Sequence, residues 1–113
     1  MRVAITRVRN EEGILQDTLD HVFQYFDVIV VYDDSSTDGT LEILKSDPRI
    51  VVLENNIWES DPNKRQILEG RHRQIVYNVA KYLKPEWVYC FDADEFATFE
   101  GCLLYTSPSP RDS

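Results

Sequence analysis

Cysteine is nearly absent from this chain of 113 residues. Cys90 and Cys102 are the only two, too few for a disulfide framework, and neither has a His or Cys partner at zinc spacing. The expected compartment is therefore reducing and the expected localisation cytoplasmic, with membrane association left open for a longer parent protein. Glycine is also sparse, at 4 residues, and the sequence contains neither a Gly-rich phosphate loop nor a nucleophile elbow. No apolar run approaches the roughly 20 residues that span a bilayer, and the amino terminus does not read as a signal peptide. Basic residues are outnumbered, 12 Lys and Arg against 20 Asp and Glu, for a formal net charge of -8. That balance excludes a general nucleic-acid or anionic-membrane surface, since both need clustered cations. The only two histidines, His21 and His72, fall at helical positions, where packing or solvent exposure outranks metal ligation.

What is present is a regular alternation of short strands and amphipathic helices. Val3–Thr6 reads as a strand, and Ile14, Leu15, Leu19, Val22, Phe23 and Phe26 form one helical stripe behind it, with Asn10 as the expected N-cap. Val28–Tyr32 is an unbroken, mostly β-branched run of the kind covered on both faces by helices. Ser35 and Asp38 stand at capping-box spacing before a short helix carrying Leu41 and Leu44, which Pro48 limits. Ile50–Leu53 is a third strand, and 54–63 is a polar loop around Trp58. From about Lys64 to Lys84 a longer helix presents Leu68, His72, Ile75, Val76, Val79, Ala80 and Leu83 on one side. Lys64, Arg65, Arg71, His72 and Arg73 read as a solvated basic face of that helix, with Arg73 the exception worth testing. Trp87–Phe91 is the fourth strand. The order βαβαβαβ in one modest domain predicts an α/β fold: a parallel sheet with right-handed crossovers and helices on both faces.

Two acidic clusters end two of these strands, Asp33-Asp34 after the second and Asp92-Ala93-Asp94-Glu95 after the fourth. In a parallel sheet both open onto the carboxyl edge, where such sheets bind ligands. Asp92 and Asp94 point to the same side of an extended chain, and paired hard oxygens suit Mg²⁺ or Mn²⁺ holding a diphosphate. Crowded carboxylates need a cation or hydrogen-bond donors to compensate them. The plainer alternative is that acids punctuate strand ends and face water.

The runs Val8-Arg9-Asn10-Glu11-Glu12, Val30-Val31-Tyr32-Asp33-Asp34-Ser35-Ser36-Thr37-Asp38-Gly39-Thr40 and Phe91-Asp92-Ala93-Asp94-Glu95 resemble the amino-terminal half of family 2 GT-A glycosyltransferases, over roughly residues 2 to 100. The resemblance implies a Rossmann-like GT-A sheet and a nucleotide-diphosphate-sugar donor, UDP-sugar favoured, with an unknown acceptor. It also implies a divalent cation, Mn or Mg, as cofactor. Carried over by position, it puts Asp34, with Asp33 beside it, near the nucleobase, although Asp33 has a competing role in the turn. Thr6 through Asn10, with Thr6, Arg9 and Asn10 singled out, line the same pocket. Asp92 faces the ribose and, with Asp94, the metal, while Arg73 neutralises the diphosphate, with Arg71 as its competitor. Arg9 stands where many relatives carry an aromatic residue. The family's catalytic base lies downstream of the Asp-x-Asp strand, and no residue of this chain is assigned as catalytic.

The segment 102–113 has the composition of a Ser/Pro linker and also resembles the translation of a transposase sequencing adapter. The expected organisation is thus the amino-terminal nucleotide-sugar-binding part of a truncated GT-A domain over residues 1–101, followed by a non-native tail over 102–113. No nucleic-acid partner and no membrane segment are expected. Two other readings compete with a glycosyltransferase: a non-catalytic nucleotide- and metal-binding α/β fragment, and a receiver-like signalling domain using Asp33 and Asp34 as an acidic metal pocket.

Overall fold

A computed structural model describes residues 1–91 and the backbone of strand 102–106. Its sheet contains β1 (Arg2–Val8), β2 (Val28–Asp34), β3 (Ile50–Asn55), β4 (Trp87–Cys90) and β5 (Cys102–Thr106), in the spatial order β3-β2-β1-β4-β5. The first four strands are mutually parallel, as the alternation of strands and helices predicts. Residues 102–106, set aside in the sequence as tail, add an antiparallel strand to β4. The run Cys102-Leu103-Leu104-Tyr105-Thr106 is rich enough in apolar and aromatic residues to suit a pleated surface.

Strand periodicity divides the core into two layers. Ala4 and Val8 of β1 and Ile29 and Val31 of β2 face α1 (Glu12–Val22) and α2 (Thr40–Lys45), where Leu15, Leu19, Val22 and Leu44 pack on them. Val3 and Ile5 of β1 and Val30 and Tyr32 of β2 face α3 (Pro62–Tyr82) through Val76 and Ala80. Side chains two apart in a strand share a face, so each strand serves both layers. Burying each of the Val, Leu and Ile side chains among them stabilises the fold by about 1.5–3 kcal/mol. The sheet is therefore covered on both faces, in keeping with its near-continuous apolar strands.

Several local expectations are corrected. Asn10 does not cap α1; Glu11 holds that position without a side-chain cap, and Asn10 adopts a left-handed φ of 53°. The capping box also fails, because Gly39 precedes α2 and Asp38 instead folds back onto Thr40. α3 begins at Pro62, earlier than expected, because Asp61 accepts from the Asn63 N–H and proline suits the first turn, where its missing N–H is not needed. Its sheet-facing stripe narrows to His72, Val76 and Ala80, leaving Ile75 41% exposed.

Candidate functional site

The spatial order runs outward from β1 in both directions, through β2 to β3 on one side and to β4 on the other. The reversal between β1 and β4 is a topological switch point, and crevices at the carboxyl edge of such points hold ligands in α/β sheets. A cavity of about 40 Å³ lies there, lined by Ile5, Thr6, Arg7, Arg73, Val76, Cys90 and Phe91. Thr6 Oγ1 donates to the Phe91 carbonyl at 2.6 Å, and the Phe91 N–H donates to the Ile5 carbonyl at 3.1 Å. These bonds fasten the last described residue before the acidic run to β1. Asp92, Asp94 and Glu95 themselves lie outside the described residues. Arg73 is exposed at the rim of this cavity, whereas Arg71 does not line it.

On the α3 face, the apolar layer ends at the carboxyl edge in a polar cluster that follows from strand period. Arg7 continues the Val3, Ile5 side of β1, Asp34 continues the Val30, Tyr32 side of β2, and Asn55 continues the Val51, Leu53 side of β3. His72 lies one turn before Val76 on α3, over the same layer. Asp34, 5% exposed, receives Arg7 Nη2 on Oδ2 at 2.5 Å and Asn55 Nδ2 on Oδ1 at 3.2 Å. Arg7 Nε donates to His72 Nδ1 at 3.2 Å, and His72 stacks on Tyr32 with ring centroids 3.9 Å apart. The Tyr32 hydroxyl accepts from Asn55 Nδ2 at 3.1 Å. Burial pushes the His72 pKa below its ordinary value; the nearby Asp34 carboxylate opposes that shift and the Arg7 guanidinium reinforces it.

Asp33 points to the other layer. Its Oδ1 accepts from Ser36 Oγ at 2.5 Å and its Oδ2 from the Ser36 N–H at 3.2 Å, so it serves the turn. It therefore forms no joint acidic pocket with Asp34, as the receiver-like reading would require. Asn10 Oδ1 accepts from the Thr37 N–H at 2.7 Å, and the Asn10 N–H donates to Ser36 Oγ at 3.0 Å. Asp38 accepts from Thr40 N and Oγ1 and from the Glu12 N–H, while Thr40 Oγ1 accepts from the Glu11 N–H. The Ser-Ser-Thr-Asp-Gly-Thr stretch thus fastens the β1–α1 and β2–α2 loops to one another.

Arg9 stacks its guanidinium on Trp58, 3.7 Å from the ring centroid, and Arg65 stacks on the same indole at 3.8 Å. The expected solvated basic face of α3 is corrected on two counts: His72 is 4% exposed beneath it, and Arg65 is drawn onto Trp58. Both arginines keep a buried Nε without a hydrogen-bond partner among the described residues, as does Ser35 Oγ. Sequence reading placed Arg7 only within a pocket-lining stretch and missed His72 and Asn55 as its companions. The available signal was a charge on the α3 face of β1 in phase with Val3 and Ile5. Among the described residues no three His, Cys, Asp or Glu side chains converge as a metal site, and no described helix is long and apolar enough to cross a membrane.

Residues 4–61 match the family described as Glycosyl transferase family 2. An uncharacterised protein of Mycobacterium bovis is 36% identical over 95 residues, which cover 83% of this chain and 23% of that protein. A protein of Mycobacterium tuberculosis, also uncharacterised, is similar to the same extent. The SPbeta prophage-derived glycosyltransferase SunS of Bacillus subtilis is 31% identical over 94 residues, covering 83% of this chain and 20% of that protein. The chain accordingly spans less than a quarter of the length of these relatives.

Proposed function

The chain belongs to glycosyl transferase family 2, and we propose that the protein it represents transfers a sugar from a nucleotide-diphosphate donor, UDP-sugar favoured, to an acceptor hydroxyl. The observation that carries this reading is Arg73 at the rim of the switch-point cavity beside Phe91, one residue before Asp92-Ala93-Asp94. A cation there suits the negative charge of a diphosphate, and the acidic run follows immediately in sequence. Asp34, held by Arg7 and Asn55, presents a carboxylate suited to accept from a nucleobase N–H.

Asp92 and Asp94 offer hard carboxylate oxygens, the donor type that Mn or Mg takes, and are the residues that would hold it. When bound, that metal would supply Lewis-acid stabilisation of the departing diphosphate. Arg73 adds positive charge on the same leaving group. In the transfer, the anomeric C–O bond to phosphate breaks as the acceptor oxygen bonds to that carbon. The acceptor proton passes to a base that no residue of this chain is assigned to be.

Calorimetric titration of UDP with Mn²⁺ and then with EDTA tests the reading. Metal-dependent binding is expected, with the metal dependence lost in Asp94→Asn. Arg73→Ala is expected to weaken UDP about tenfold or more while changing uridine little, as the loss of a charge-assisted bond to phosphate would. Metal-independent or absent UDP binding by folded protein would overturn it.

A further inference from the structure

Arg7 and His72 form a linked pair whose chemistry goes beyond donor binding as such. Arg7 makes two side-chain hydrogen bonds: its Nη2 donates to Asp34 Oδ2, and its Nε–H donates to His72 Nδ1. A guanidinium is planar and its N–H vectors are fixed relative to one another, so holding Nε sets where Nη2 points. An Nδ1 that accepts from Arg7 carries no proton, which assigns His72 as the neutral imidazole with its hydrogen on Nε2, 3.5 Å from Asn55 Nδ2. Stacking on Tyr32 and burial under α3 hold the ring in that orientation.

We propose that His72 is a positioning residue for nucleobase recognition: as a neutral imidazole it fixes Arg7, and Arg7 fixes the Asp34 carboxylate, so that donor binding weakens when His72 is protonated. The proposal rests on the reading of Asp34 as the base-recognising group. A proton on Nδ1 would confront the Arg7 Nε–H across 3.2 Å, replacing a hydrogen bond with two facing donors and two adjacent cations. The groups facing the imidazole are Arg7 from β1, Tyr32 and Asp34 from β2, Asn55 from β3 and Glu69 from α3 itself. Asp34 and Glu69 favour the charged ring, whereas burial and Arg7 oppose it, and burial is the largest influence. Glu69 also lies 3.6 Å from Arg7 Nη2, so it competes with Asp34 for the guanidinium once the Nε anchor is lost.

The test is UDP affinity in the presence of Mn²⁺, measured by calorimetry from about pH 5 to about pH 8, for the wild type, His72→Leu and His72→Asn. The Asn Oδ1 stands as many bonds from Cα as His Nδ1 and accepts in its place without titrating. Wild-type affinity is expected to fall about tenfold toward acid, His72→Leu to lose about tenfold throughout, and His72→Asn to bind as wild type near neutrality without the fall. Since UDP's own titration is common to all three proteins, His72→Asn is the control for it. A wild type with no steeper acid dependence than His72→Asn overturns the proposal, as does His72→Leu matching the wild type or His72→Asn doing no better than His72→Leu. If folded wild type fails to bind UDP near neutrality, the donor reading fails instead. Imidazole ¹⁵N shifts then decide the hydrogen-bond part alone: a protonated Nδ1 near neutrality overturns it, and a bare Nδ1 that shifts in Arg7→Leu upholds it.

Discussion

Ser35 is a buried non-glycine residue in the left-handed region, with φ 53° and 7% exposure, immediately after the Asp34 carboxylate. A left-handed backbone brings Cβ toward the following carbonyl and costs an L-residue about 1–2 kcal/mol. The conformation persists because the Ser35 N–H donates to the Asn55 carbonyl at 3.1 Å and Asp33 holds Ser36 on the other side. Ser35→Gly is therefore expected to raise stability by about 0.5–1 kcal/mol, the net of relieved strain and added unfolded-state entropy. Ser35→Val should lower it, and denaturant midpoints at constant slope would check both. The sequence around this residue already marked a turn and an acidic edge. The cluster around its neighbour Asp34 was not legible, because a lone helical histidine, a strand-end asparagine and a single arginine in a strand carry no pattern until register brings them together.

At the scale of the element, α3 depends on a short polar start. Asp61 accepts from the Asn63 N–H at 2.9 Å and Pro62 opens the helix, so one side chain satisfies one of the otherwise orphaned donors of the first turn. Asp61→Ala is expected to cost about 1 kcal/mol, read as a lower thermal midpoint with unchanged helix content at low temperature. The sequence does not single out this start, because Pro62 lies in a polar run that also fits a loop, although an Asp before a proline is itself a helix-opening signal. Strands were far more legible. Val28–Tyr32 has no polar interruption, and its mostly β-branched run has the pattern of a strand buried on both sides. The apolar stripes are wider than the faces that α1 and α3 bury: Ile14 and Ile75 are each 41% exposed.

For the molecule as a whole, acid should weaken the fold in two stages. His72 has its pKa lowered by burial from an ordinary 6.5, so the unfolded chain takes up its proton first. Its contribution is complete above 6.5 and shrinks as pH falls from there toward the folded-state value. Asp38 is held below its ordinary 3.8, chiefly by the Thr40 hydroxyl, and Asp47 below the same value, chiefly by the Arg49 side chain. Their contributions are present above 3.8 and are lost as pH falls below it. Thermal midpoints across pH are expected to show both declines in the wild type, and His72→Asn to keep only the second. The parallel layered sheet was legible from the order of elements. The division of Asp33 and Asp34 between opposite layers was not, since it depends on where β2 ends.

β1 precedes β2 and β4 in the chain yet lies between them in the sheet, with β2 on one side and β4 on the other. On the ribosome, β1 can pair with β2 once residue 34 has left the tunnel, but its second edge waits until residue 90 has followed. Through that interval the nascent chain carries an open row of amides and carbonyls beside Val3 and Ile5, the kind of edge that recruits foreign strands. α3 emerges just before β4, and its Val76 and Ala80 pack on the same face as those two side chains. The helix can therefore shelter the unfinished sheet before its fourth strand arrives.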